Sequence, residues 1–410
     1  MEDWIHLQDI KATLSESLEG KLIGLCVTGS IACVETHRLA RLLIRHGATV
    51  QIFLTRAAAE LVSPKALAWS TGRPVIQELT ARCEHLEFFS GDKRADLLLL
   101  APATANTLGK MAAGIDDNVV MTCLTTAAGN QIPILCAPGM HEPMMRNPAV
   151  LRSMKLLKED GVEFLEPILA EGKQKMMAAE EIAARVLRRL GPGDLRGKGV
   201  LITGGPTREF LDPARCLTNP SSGLTAVLLA QEAYRRGGDV ILVYGPGKVE
   251  PPSWITTEKV VTSDEMLKTC LKFADQRKVD FVVAAAAVSD FRPSQAQETK
   301  RPTAEGGFEL ALETTPKIIQ ALRHALPQAK VVGFKASSSR DDELLAGEAG
   351  RYLEKGTVDL MVANSIVEKG LGFDSSRNRY LLCGPGERRE SLGPGEKSRL
   401  IPELWNRLLV

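Results

Sequence analysis

One pattern occurs twice in this chain and constrains its fold most: an apolar strand, a glycine-containing turn, a helix and a second apolar strand. The pattern runs from Leu22 to Leu54 in the first half and from Gly199 to Tyr244 in the second. Apolar runs that alternate with helical spacing are typical of βαβ units, whose parallel sheet is covered on both faces. The sequence therefore predicts an α/β fold with two Rossmann-like domains.

The boundary between the two domains is predicted by length and by helix-breaking residues. A chain of 410 residues exceeds one ordinary hydrophobic core, which stops growing at roughly 250 to 300 residues. The cluster Gly191-Pro192-Gly193 follows a charged amphipathic helix over residues 178–190 and precedes the strand that begins at Gly199. We therefore expect one domain over residues 1–190 and another over residues 191–410.

Composition excludes several classes of protein. The 51 basic residues nearly cancel the 50 acidic ones, so no global charge attracts nucleic acid or an anionic membrane. The segment Met1–Lys21 lacks a long apolar run, and we expect neither a signal peptide nor a membrane span there. Eight scattered cysteines without a CxxC pair argue against a disulfide framework and a zinc site. We expect a cytoplasmic protein with no nucleic-acid or membrane partner.

Polar residues follow two strands of the first half. Ser30 opens a helix directly after the first strand, so backbone N–H groups there could bind a phosphate. Thr104 and Asn106 follow the strand that begins at Asp96 and are expected at the same sheet edge. Taken singly, a sterically required glycine turn and a polar helix cap explain these residues equally well. The same holds for His85 and His141, since a lone histidine is often structural.

Three segments of residues 20–190 together resemble the homo-oligomeric flavin-containing cysteine decarboxylases. They are the Gly29-Ser-Ile-Ala32 turn, the Glu84-His85 element ahead of residues 96–106, and the block Pro138-Gly-Met-His-Glu-Pro-Met144. The resemblance implies a flavodoxin-like domain in which flavin mononucleotide (FMN) oxidises the substrate thiol, so that the neighbouring carboxylate can leave. It implies His85 as the catalytic residue, FMN contacts from Gly29, Ser30, Ile31, Ala32, Thr55, Ala103, Thr104 and Asn106, and substrate contacts from Pro138, Met140, His141 and Met144.

The first half departs from that family at two places. His141 stands where the family usually has asparagine, a change that keeps a hydrogen-bond donor for a carboxylate. Residues 169–176 lack the family's cysteine, which completes the reaction at the enethiol. Glu171, Lys173 and Lys175 are the local groups that could carry a proton instead.

The second half contains three polar segments at predicted strand ends. Thr203-Gly-Gly-Pro-Thr-Arg-Glu209 and Asn219-Pro-Ser-Ser-Gly223 form a loop suited to a phosphate or acyl phosphate, although no Walker A lysine follows the glycines. The alanine run at residues 284–287 permits close approach of a flat ligand, and Asp290 could hold magnesium or a base edge. A long structural loop and ordinary surface lysines at positions 300, 317 and 355 remain the alternative interpretation.

Residues 197–407 resemble the ligase domain of bacterial and archaeal bifunctional phosphopantothenoylcysteine synthase/decarboxylases. The motifs that carry the resemblance run in family order from residues 202–209 to Gly372-Phe373, with Leu224 and Arg351 in place of the usual lysines. The resemblance implies a doubly wound ligase domain that activates a carboxylate with CTP and Mg²⁺ as an acyl cytidylate. It implies Asn219 as a catalytic residue, substrate contacts from Arg208, Arg215, Ser221, Ser222 and Gly223, CTP contacts from Ala284, Ala285, Ala286, Asp290, Lys300, Pro316, Lys317, Ile318, Phe334, Arg351 and Lys355, and Asp290 as a magnesium ligand.

Together the two resemblances imply an archaeal-like bifunctional enzyme of coenzyme A biosynthesis. It would join cysteine to 4′-phosphopantothenate and then decarboxylate 4′-phosphopantothenoylcysteine to 4′-phosphopantetheine. They also imply a homo-oligomer with trimeric flavin domains and dimeric ligase domains, an arrangement compatible with a dodecamer.

Alternative functions differ from this expectation in testable ways. An FMN-binding protein could retain only the ligase activity, or use its second domain as a nucleotide-binding regulatory module. Flavin prenyltransferases and peptidyl-cysteine decarboxylases share the flavin fold but normally lack the second half. A nicotinamide oxidoreductase is disfavoured because neither strand-turn-helix carries GxGxxG followed by an acidic residue.

Overall fold

The computed structural model describes residues 4–170, 173–300, 309–386 and 388–410, so Glu171, one of the suggested proton carriers, lies outside the described residues. The chain forms two compact units, Met1–Gly191 (unit 1) and Pro192–Val410 (unit 2). The division lies one residue from the boundary that we expected between residues 190 and 191.

Unit 1 contains a five-stranded parallel sheet with the strand order β2-β1-β3-β4-β5. This is the flavodoxin-like order, in which the chain direction across the sheet reverses between β1 and β3. A separate two-stranded hairpin, β6-β7, follows the sheet. The strands are β1 (Leu22–Val27), β2 (Thr49–Leu54), β3 (Leu97–Ala103), β4 (Ile134–Pro138), β5 (Glu163–Phe164), β6 (Ile168–Ala170) and β7 (Lys173–Lys175).

Helices cover both faces of this sheet because successive side chains of its strands alternate between two cores. Along β3, Leu97 and Leu99 belong to one core, whereas Leu98 and Leu100 belong to the other. A 3-10 turn, Ile31–Glu35, follows β1. The helices are α1 (Ile5–Gln8), α2 (Thr36–Arg45), α3 (Arg56–Ala59), α4 (Pro64–Thr71), α5 (Glu84–Phe89), α6 (Ala105–Ala112), α7 (Val119–Gly129), α8 (Glu142–Met145), α9 (Pro148–Glu159) and α10 (Ala179–Arg189).

Unit 2 contains an eight-stranded sheet with the order β12-β11-β8-β13-β16-β17-β18-β19. Its first six strands are parallel and follow the doubly wound order 3-2-1-4-5-6, with the switch point between β8 and β13. Strands β18 and β19 extend the sheet in antiparallel fashion. The strands are β8 (Gly199–Gly204), β11 (Asp239–Tyr244), β12 (Thr256–Lys259), β13 (Phe281–Ala284), β16 (Lys330–Ser337), β17 (Leu360–Ser365), β18 (Arg377–Cys383) and β19 (Arg389–Glu396).

Two short antiparallel pairs and five helices complete unit 2 as described. The pairs are β9 (Arg208–Asp212) with β10 (Arg215–Thr218), and β14 (Phe291–Pro293) with β15 (Leu312–Thr314). Helix α12 begins with a full capping box between Thr262 and Glu265, whereas the N-cap residue of α11 is Gly223, which has no side chain. The helices are α11 (Leu224–Arg235), α12 (Ser263–Gln276), α13 (Ile318–Ala325), α14 (Asp342–Glu354) and α15 (Lys397–Leu408).

The two-domain α/β class predicted from the sequence is confirmed, whereas the predicted end of β13 was wrong. The apolar run after Phe281 predicted a strand to Ala287, but β13 ends at Ala284. After Ala284, the Ala285 N–H donates to the Thr203 carbonyl, and the Ala287 N–H donates to the Gly205 carbonyl. The chain therefore stays beside the turn that follows β8, outside the regular strand pairing of β13. Within the described ranges, every helix is too short or too polar to cross a bilayer.

A buried ion-pair network in unit 2 yields a stability prediction. The Arg236 guanidinium donates to Glu232 and Asp194, each at 2.7 Å, and to the Pro402 carbonyl at 3.0 Å, while Lys259 pairs with Glu250 at the surface. Arg236→Met leaves the buried Glu232 carboxylate paired with Arg235 alone, at 2.6 and 2.7 Å, and removes the donor to the Pro402 carbonyl, so it should cost about 1–3 kcal/mol of unfolding free energy. Lys259→Met, the control, should cost about 0–1 kcal/mol.

Urea unfolding monitored by tryptophan fluorescence measures both changes, since the buried Trp405 indole N–H donates to the Leu229 carbonyl on α11. Equal losses in the two variants would show that the Arg236 network contributes no more than a surface pair.

Candidate functional site

Three hydroxyl side chains cap the helical segments that follow β1, β2 and β3 in unit 1. Ser30 Oγ accepts from the Ala32 N–H at 3.4 Å, Thr55 Oγ1 from the Ala58 N–H at 3.3 Å, and Thr104 Oγ1 from the Thr107 N–H at 3.3 Å. The carboxyl ends of parallel strands lie at one sheet edge, so three helical N-termini open toward the same edge. Such termini attract anions through their free N–H groups and their dipoles. The capping role expected as an alternative is therefore present, at the edge where a ligand would bind.

Thr28 and Gly139 join the ends of three strands, although the sequence motifs gave neither residue a role. The buried Thr28 Oγ1 donates to the Pro102 carbonyl at 2.7 Å and accepts from the Thr104 N–H at 3.2 Å, which ties β1 to β3. Gly139, after β4, approaches so closely that an added Cβ would lie 2.7 Å from Pro102 Cβ and 3.3 Å from Ser30 Oγ. The three loops therefore form one closely packed cradle.

The remaining cofactor residues predicted for unit 1 lie on or beside this cradle. Gly29 packs against α3, since a Cβ there would lie 2.6 Å from Ala57 Cβ. Ile31 is 70% exposed, an unusual environment for isoleucine, and Ala32 is partly buried beside it. Ala103 is buried in β3, and Asn106 is exposed on the first turn of α6.

The predicted substrate block follows β4. Pro138 is buried and pairs in register with Ala103, and Met140 packs against the core beneath. His141 occupies the N-cap position of α8 without bonding to it, and its side chain is exposed. Met144 is exposed as well. Two polar or polarisable side chains are thus presented to solvent beside Gly139.

His85 lies on α5, whose start is fixed by its neighbour Glu84. The buried Glu84 carboxylate accepts from the Thr80 N–H at 2.8 Å and from the Thr80 hydroxyl, and these bonds lower its pKa. Among the described residues, the buried His85 Nδ1 has no hydrogen-bond partner. A buried ring nitrogen without a partner is uncommon in proteins, so this atom is available to a bound molecule.

These features fit FMN. The helical N-termini suit its phosphate, the close approach of Gly139 leaves no side chain over the cradle, and His85 supplies an unused ring nitrogen.

Unit 2 contains a cleft of about 820 Å³ at the carboxyl ends of its central strands. Most of the residues that our sequence analysis assigned to CTP and substrate binding line it. They are Asn219, Ser221, Ser222, Gly223, Ala284, Ala285, Ala286, Asp290, Pro316, Lys317, Ile318, Phe334, Arg351 and Lys355.

The Ser221-Ser222-Gly223 turn forms one end of the cleft. Ser222 Oγ donates to the Phe373 carbonyl at 3.0 Å, and Ser221 Oγ accepts from the Gly223 N–H at 3.3 Å. Gly223 has φ +81°, and an added Cβ would lie 1.9 Å from Tyr244 Oη, so only glycine fits. The turn thereby places the N-terminus of α11 at the cleft, where Ser222 Oγ also accepts from the Leu224 N–H at 3.4 Å.

Asn219 is fixed beneath the alanine segment. Its Nδ2 donates to the carbonyls of Ala287 and Val288, both at 3.1 Å. Because the amide is planar, these two bonds also fix its Oδ1. Asn219 is therefore a preorganised polar group in the cleft wall.

The charges in the cleft are mainly positive. Arg351 and Lys355 lie at the end of α14, and Lys317 Nζ lies 2.6 Å from the Asp290 carboxylate. Asp290, our predicted magnesium ligand, is thus engaged by a lysine. Within the described residues, no three His, Cys, Asp or Glu side chains cluster around a common point, and Mg²⁺ is commonly bound by one or two carboxylates together with phosphates of the substrate. Any Mg²⁺ in this cleft would depend on oxygens of its ligand.

Three predicted residues are not brought to the described cleft lining. Arg208 and Arg215 lie on the β9–β10 hairpin, where Arg215 pairs with Asp212 at 3.1 Å. The segment for which a long structural loop was the alternative folds into this hairpin, whose register places Arg208 opposite Thr218. Lys300 is exposed and also lies outside the lining.

The cleft also contains residues to which sequence reasoning gave no role. Thr203, Asn364 and Gly372-Phe373 occurred in the motif series, whereas the others lacked any local signal because tertiary packing alone brings them together. The unassigned lining residues include Thr203, Thr225, Lys335, Glu348, Tyr352, Asn364, Gly372, Phe373, Asn378, Tyr380 and Lys397.

The packing of the unit 1 cradle gives a second prediction. Gly139→Ala places a methyl group 2.7 Å from Pro102 Cβ, so the loops must separate, and unit 1 should lose about 1–3 kcal/mol. Gly109→Ala in α6 is the control, since nothing lies within 4 Å of its added Cβ, and it should be neutral or stabilising by up to about 1 kcal/mol. Chemical unfolding distinguishes them, and an unchanged Gly139→Ala would mean that the cradle is loosely packed.

Comparison with known families assigns both units. The family described as "Flavoprotein" matches residues 11–191. The family described as "DNA/pantothenate metabolism flavoprotein C-terminal domain" matches residues 195–409. The two matches follow one another along the chain in the order of units 1 and 2.

Relatives match over nearly the whole chain. The coenzyme A biosynthesis bifunctional protein CoaBC of Thermococcus kodakarensis is 42% identical, over 98% of this chain and 98% of its own. The protein of the same name from Methanocaldococcus jannaschii is 35% identical, over 89% and 88%. A crystal structure of the C-terminal domain of a CoaBC protein is 28% identical, covering 53% of this chain and 96% of that chain with a TM-score of 0.43. The chain therefore belongs to the family of coenzyme A biosynthesis bifunctional proteins, and its likeness to archaeal members is confirmed.

Proposed function

We propose that this chain catalyses two consecutive reactions of coenzyme A biosynthesis. Unit 2 ligates cysteine to 4′-phosphopantothenate, and unit 1 decarboxylates the resulting 4′-phosphopantothenoylcysteine to 4′-phosphopantetheine. The observation that carries the proposal is the coexistence, in a chain of this family, of an FMN-compatible cradle and a cationic cleft. The product of the second unit is the substrate of the first.

In unit 2, CTP would activate the carboxylate of 4′-phosphopantothenate. A carboxylate oxygen attacks the α-phosphorus, pyrophosphate leaves, and an acyl cytidylate forms. The cysteine amine then attacks the acyl carbon, CMP leaves, and the amine loses a proton as the amide forms. Magnesium held by the triphosphate would offset its charge together with Lys317, Arg351 and Lys355.

Two groups of cleft residues would position these reactants. The alanine side chains at 284–286 are small enough for a flat base to approach the backbone, and Phe334 adds an aromatic surface. Asn219, fixed by its bonds to Ala287 and Val288, would orient the acyl group. Preorganised polar groups of this kind stabilise a reaction without reorganising during it.

In unit 1, bound FMN would supply a two-electron acceptor for the substrate. Ser30, Thr55 and Thr104 would hold the cofactor through the helical N-termini that they cap. His141 would donate a hydrogen bond to the departing carboxylate, and His85 Nδ1 would be free to exchange a proton with the substrate.

One observation favours a second candidate function. Residues 169–176 contain no cysteine, the residue with which the resembled decarboxylases complete the reaction. A chain that binds FMN but completes only the ligation would account for this absence. The two candidates differ in the product that they release.

The cellular setting belongs to the same proposal. We propose a cytoplasmic homo-oligomer with no nucleic-acid or membrane partner, with flavin domains in trimers and ligase domains in dimers. The exposed Ile31 at the edge of the cradle supports a flavin site completed by another subunit.

Product analysis tests the proposal directly. Purified chain loaded with FMN is incubated with 4′-phosphopantothenate, cysteine, CTP and Mg²⁺, and the products are identified by mass spectrometry. We expect 4′-phosphopantetheine, CMP and pyrophosphate, with ATP as a comparison for nucleotide preference. Accumulation of 4′-phosphopantothenoylcysteine would favour the ligase-only function, and no product at all would favour the regulatory module.

His85→Asn should abolish CO₂ release from 4′-phosphopantothenoylcysteine while leaving ligation intact, because it removes the ring nitrogen assigned to proton exchange. His324→Asn is the control, since His324 is exposed on α13 of unit 2 and outside the cleft lining. Normal CO₂ release by the His85 variant would sink the assignment.

Asn219→Asp should give the reverse pattern. An aspartate cannot donate to the Ala287 and Val288 carbonyls and adds negative charge where an anion must bind. Ligation should fall by at least about 100-fold, the size of the loss of one preorganised donor. Decarboxylation of supplied 4′-phosphopantothenoylcysteine should persist, and unchanged ligation would remove Asn219 from the mechanism.

A further inference from the structure

The inner wall of the unit 2 cleft contains a buried lysine. Lys397, the first residue of α15, lines the cleft although it is only 2% exposed. Its Nζ donates to the Gly372 carbonyl at 2.7 Å, and its backbone N–H donates to the Ser376 carbonyl at 2.8 Å. Lys397 therefore holds two points of the loop that leads into β18.

This burial is unfavourable for the folded protein. Burial lowers the pKa of Lys397 to about 8, against the opposing effect of the Asp374 carboxylate. One carbonyl acceptor could be satisfied by a neutral donor without bringing a charge into the interior. The positive charge of Lys397 at this buried position is explained if the ammonium binds an anionic group of the ligand.

A second buried donor in the same wall lacks a partner. Tyr380, on β18, is 1% exposed, and within the described chain its hydroxyl makes no hydrogen bond of good geometry, although the Thr225 and Asn378 side chains lie near enough to oppose the rise in its pKa that burial causes. Its ring packs edge-to-face against Phe334, with centroids 6.2 Å apart. Buried hydroxyls are nearly always bonded, so an unused one that lines a cleft indicates an acceptor supplied from outside.

The N-terminus of α11 lies in the same cleft and is tied to the same loop. Leu224, Thr225 and Ala226 line the cleft; the N-cap residue is Gly223, and Ser222 Oγ accepts from the Leu224 N–H at 3.4 Å. Ser222, one residue before the cap, bonds to the Phe373 carbonyl, while Lys397 bonds to that of Gly372. Two adjacent carbonyls thus connect the helix terminus with the buried lysine.

We propose that Lys397, Tyr380 and the N-terminus of α11 form an anion-binding end wall that holds the polyphosphate of the nucleotide. Lys397 acts in two ways: its ammonium faces the anion, and its bond to Gly372 keeps the Gly372-Phe373 backbone against Ser222. The inference rests on the proposed ligase function and names the wall against which the leaving pyrophosphate lies. It also gives a role to two residues without a local sequence signal.

Calorimetric titration with inorganic pyrophosphate and with CTP, each with Mg²⁺, tests the wall independently of turnover. Lys397→Met should weaken pyrophosphate binding about 10- to 100-fold, because it removes a charge-assisted bond in a buried site. Tyr380→Phe, which keeps the ring, should weaken it about 3- to 10-fold. Lys259→Met, a loss of positive charge at the surface of the same unit, should leave binding unchanged.

The pH dependence distinguishes direct binding from a merely structural role. The ammonium form binds the anion, so wild-type affinity for pyrophosphate is complete below about pH 8 and falls as the pH rises through the pKa of Lys397. Stability moves in the opposite direction: the unfolded chain keeps the lysine proton up to its ordinary pKa near 10.5, so the folded state gains stability as the pH rises above about 8. Lys397→Met should lose both trends.

Other charged or titratable groups near this wall also contribute to the pH dependence of binding. Those near Lys397 or lining the same cleft are Asp374 with its partner Lys248, Tyr380, Lys335, Glu348, Arg351, Lys355, and the Asp290–Lys317 pair. All of them are retained in Lys397→Met, so the difference between the two profiles isolates Lys397.

The outcomes separate this inference from the proposed function. The inference alone is overturned if the wild type forms ligation products while Tyr380→Phe and Lys397→Met both bind pyrophosphate as tightly as the wild type does. A wild type that binds neither CTP nor pyrophosphate and forms no product overturns the proposed function. If Lys397→Met fails to fold, Tyr380→Phe still decides, since unchanged binding in that variant removes the end wall.

Discussion

The close approach of α11 to the ends of β8 and β11 is the contact on which the unit 2 cleft depends. A Cβ on Gly204 would lie 2.2 Å from Ala226 Cβ, and one on Gly223 would lie 1.9 Å from Tyr244 Oη. Burial raises the pKa of that tyrosine to about 12, so it stays a neutral donor and bonds to the Val249 carbonyl at 2.7 Å. Because the two glycines leave this space empty, the helix terminus reaches the cleft, and the Ser222 turn and the Phe373 loop can close around it.

In unit 1, hydrogen bonds as well as glycines hold the strand ends close together. Thr28 bonds to backbone groups on both sides of Ala103, and this bridge fixes the ends of β1 and β3 where the strand order reverses. Gly139 then brings the end of β4 against Ser30. The cradle is therefore a property of backbone spacing, whereas His85 depends on a separate helix whose start is held by Glu84 and Thr80.

The sequence predicted what local periodicity determines and missed what distant packing determines. Ser30, Thr104 and the Ser222 turn were found because a strand, a glycine and a polar cap follow one another within a few residues. Lys397 could not be found in this way, because a lysine at the start of an amphipathic helix has the pattern of a surface residue. Only the antiparallel addition of β18 and β19 to the sheet brings α15 and Tyr380 to the cleft.

The two sites differ in how they stabilise negative charge, and the difference matches the ligands proposed for them. Unit 1 uses capped helical N-termini and neutral hydroxyls, which are sufficient for the single phosphate of FMN. Unit 2 adds Lys317, Arg351 and Lys355, and it buries Lys397 although burial lowers the pKa of that lysine to about 8. A triphosphate that loses pyrophosphate needs this additional positive charge. The negative charge on the pyrophosphate grows as its bond to the α-phosphorus breaks. A buried ammonium is most effective at that moment, since little water competes with it for the developing anion.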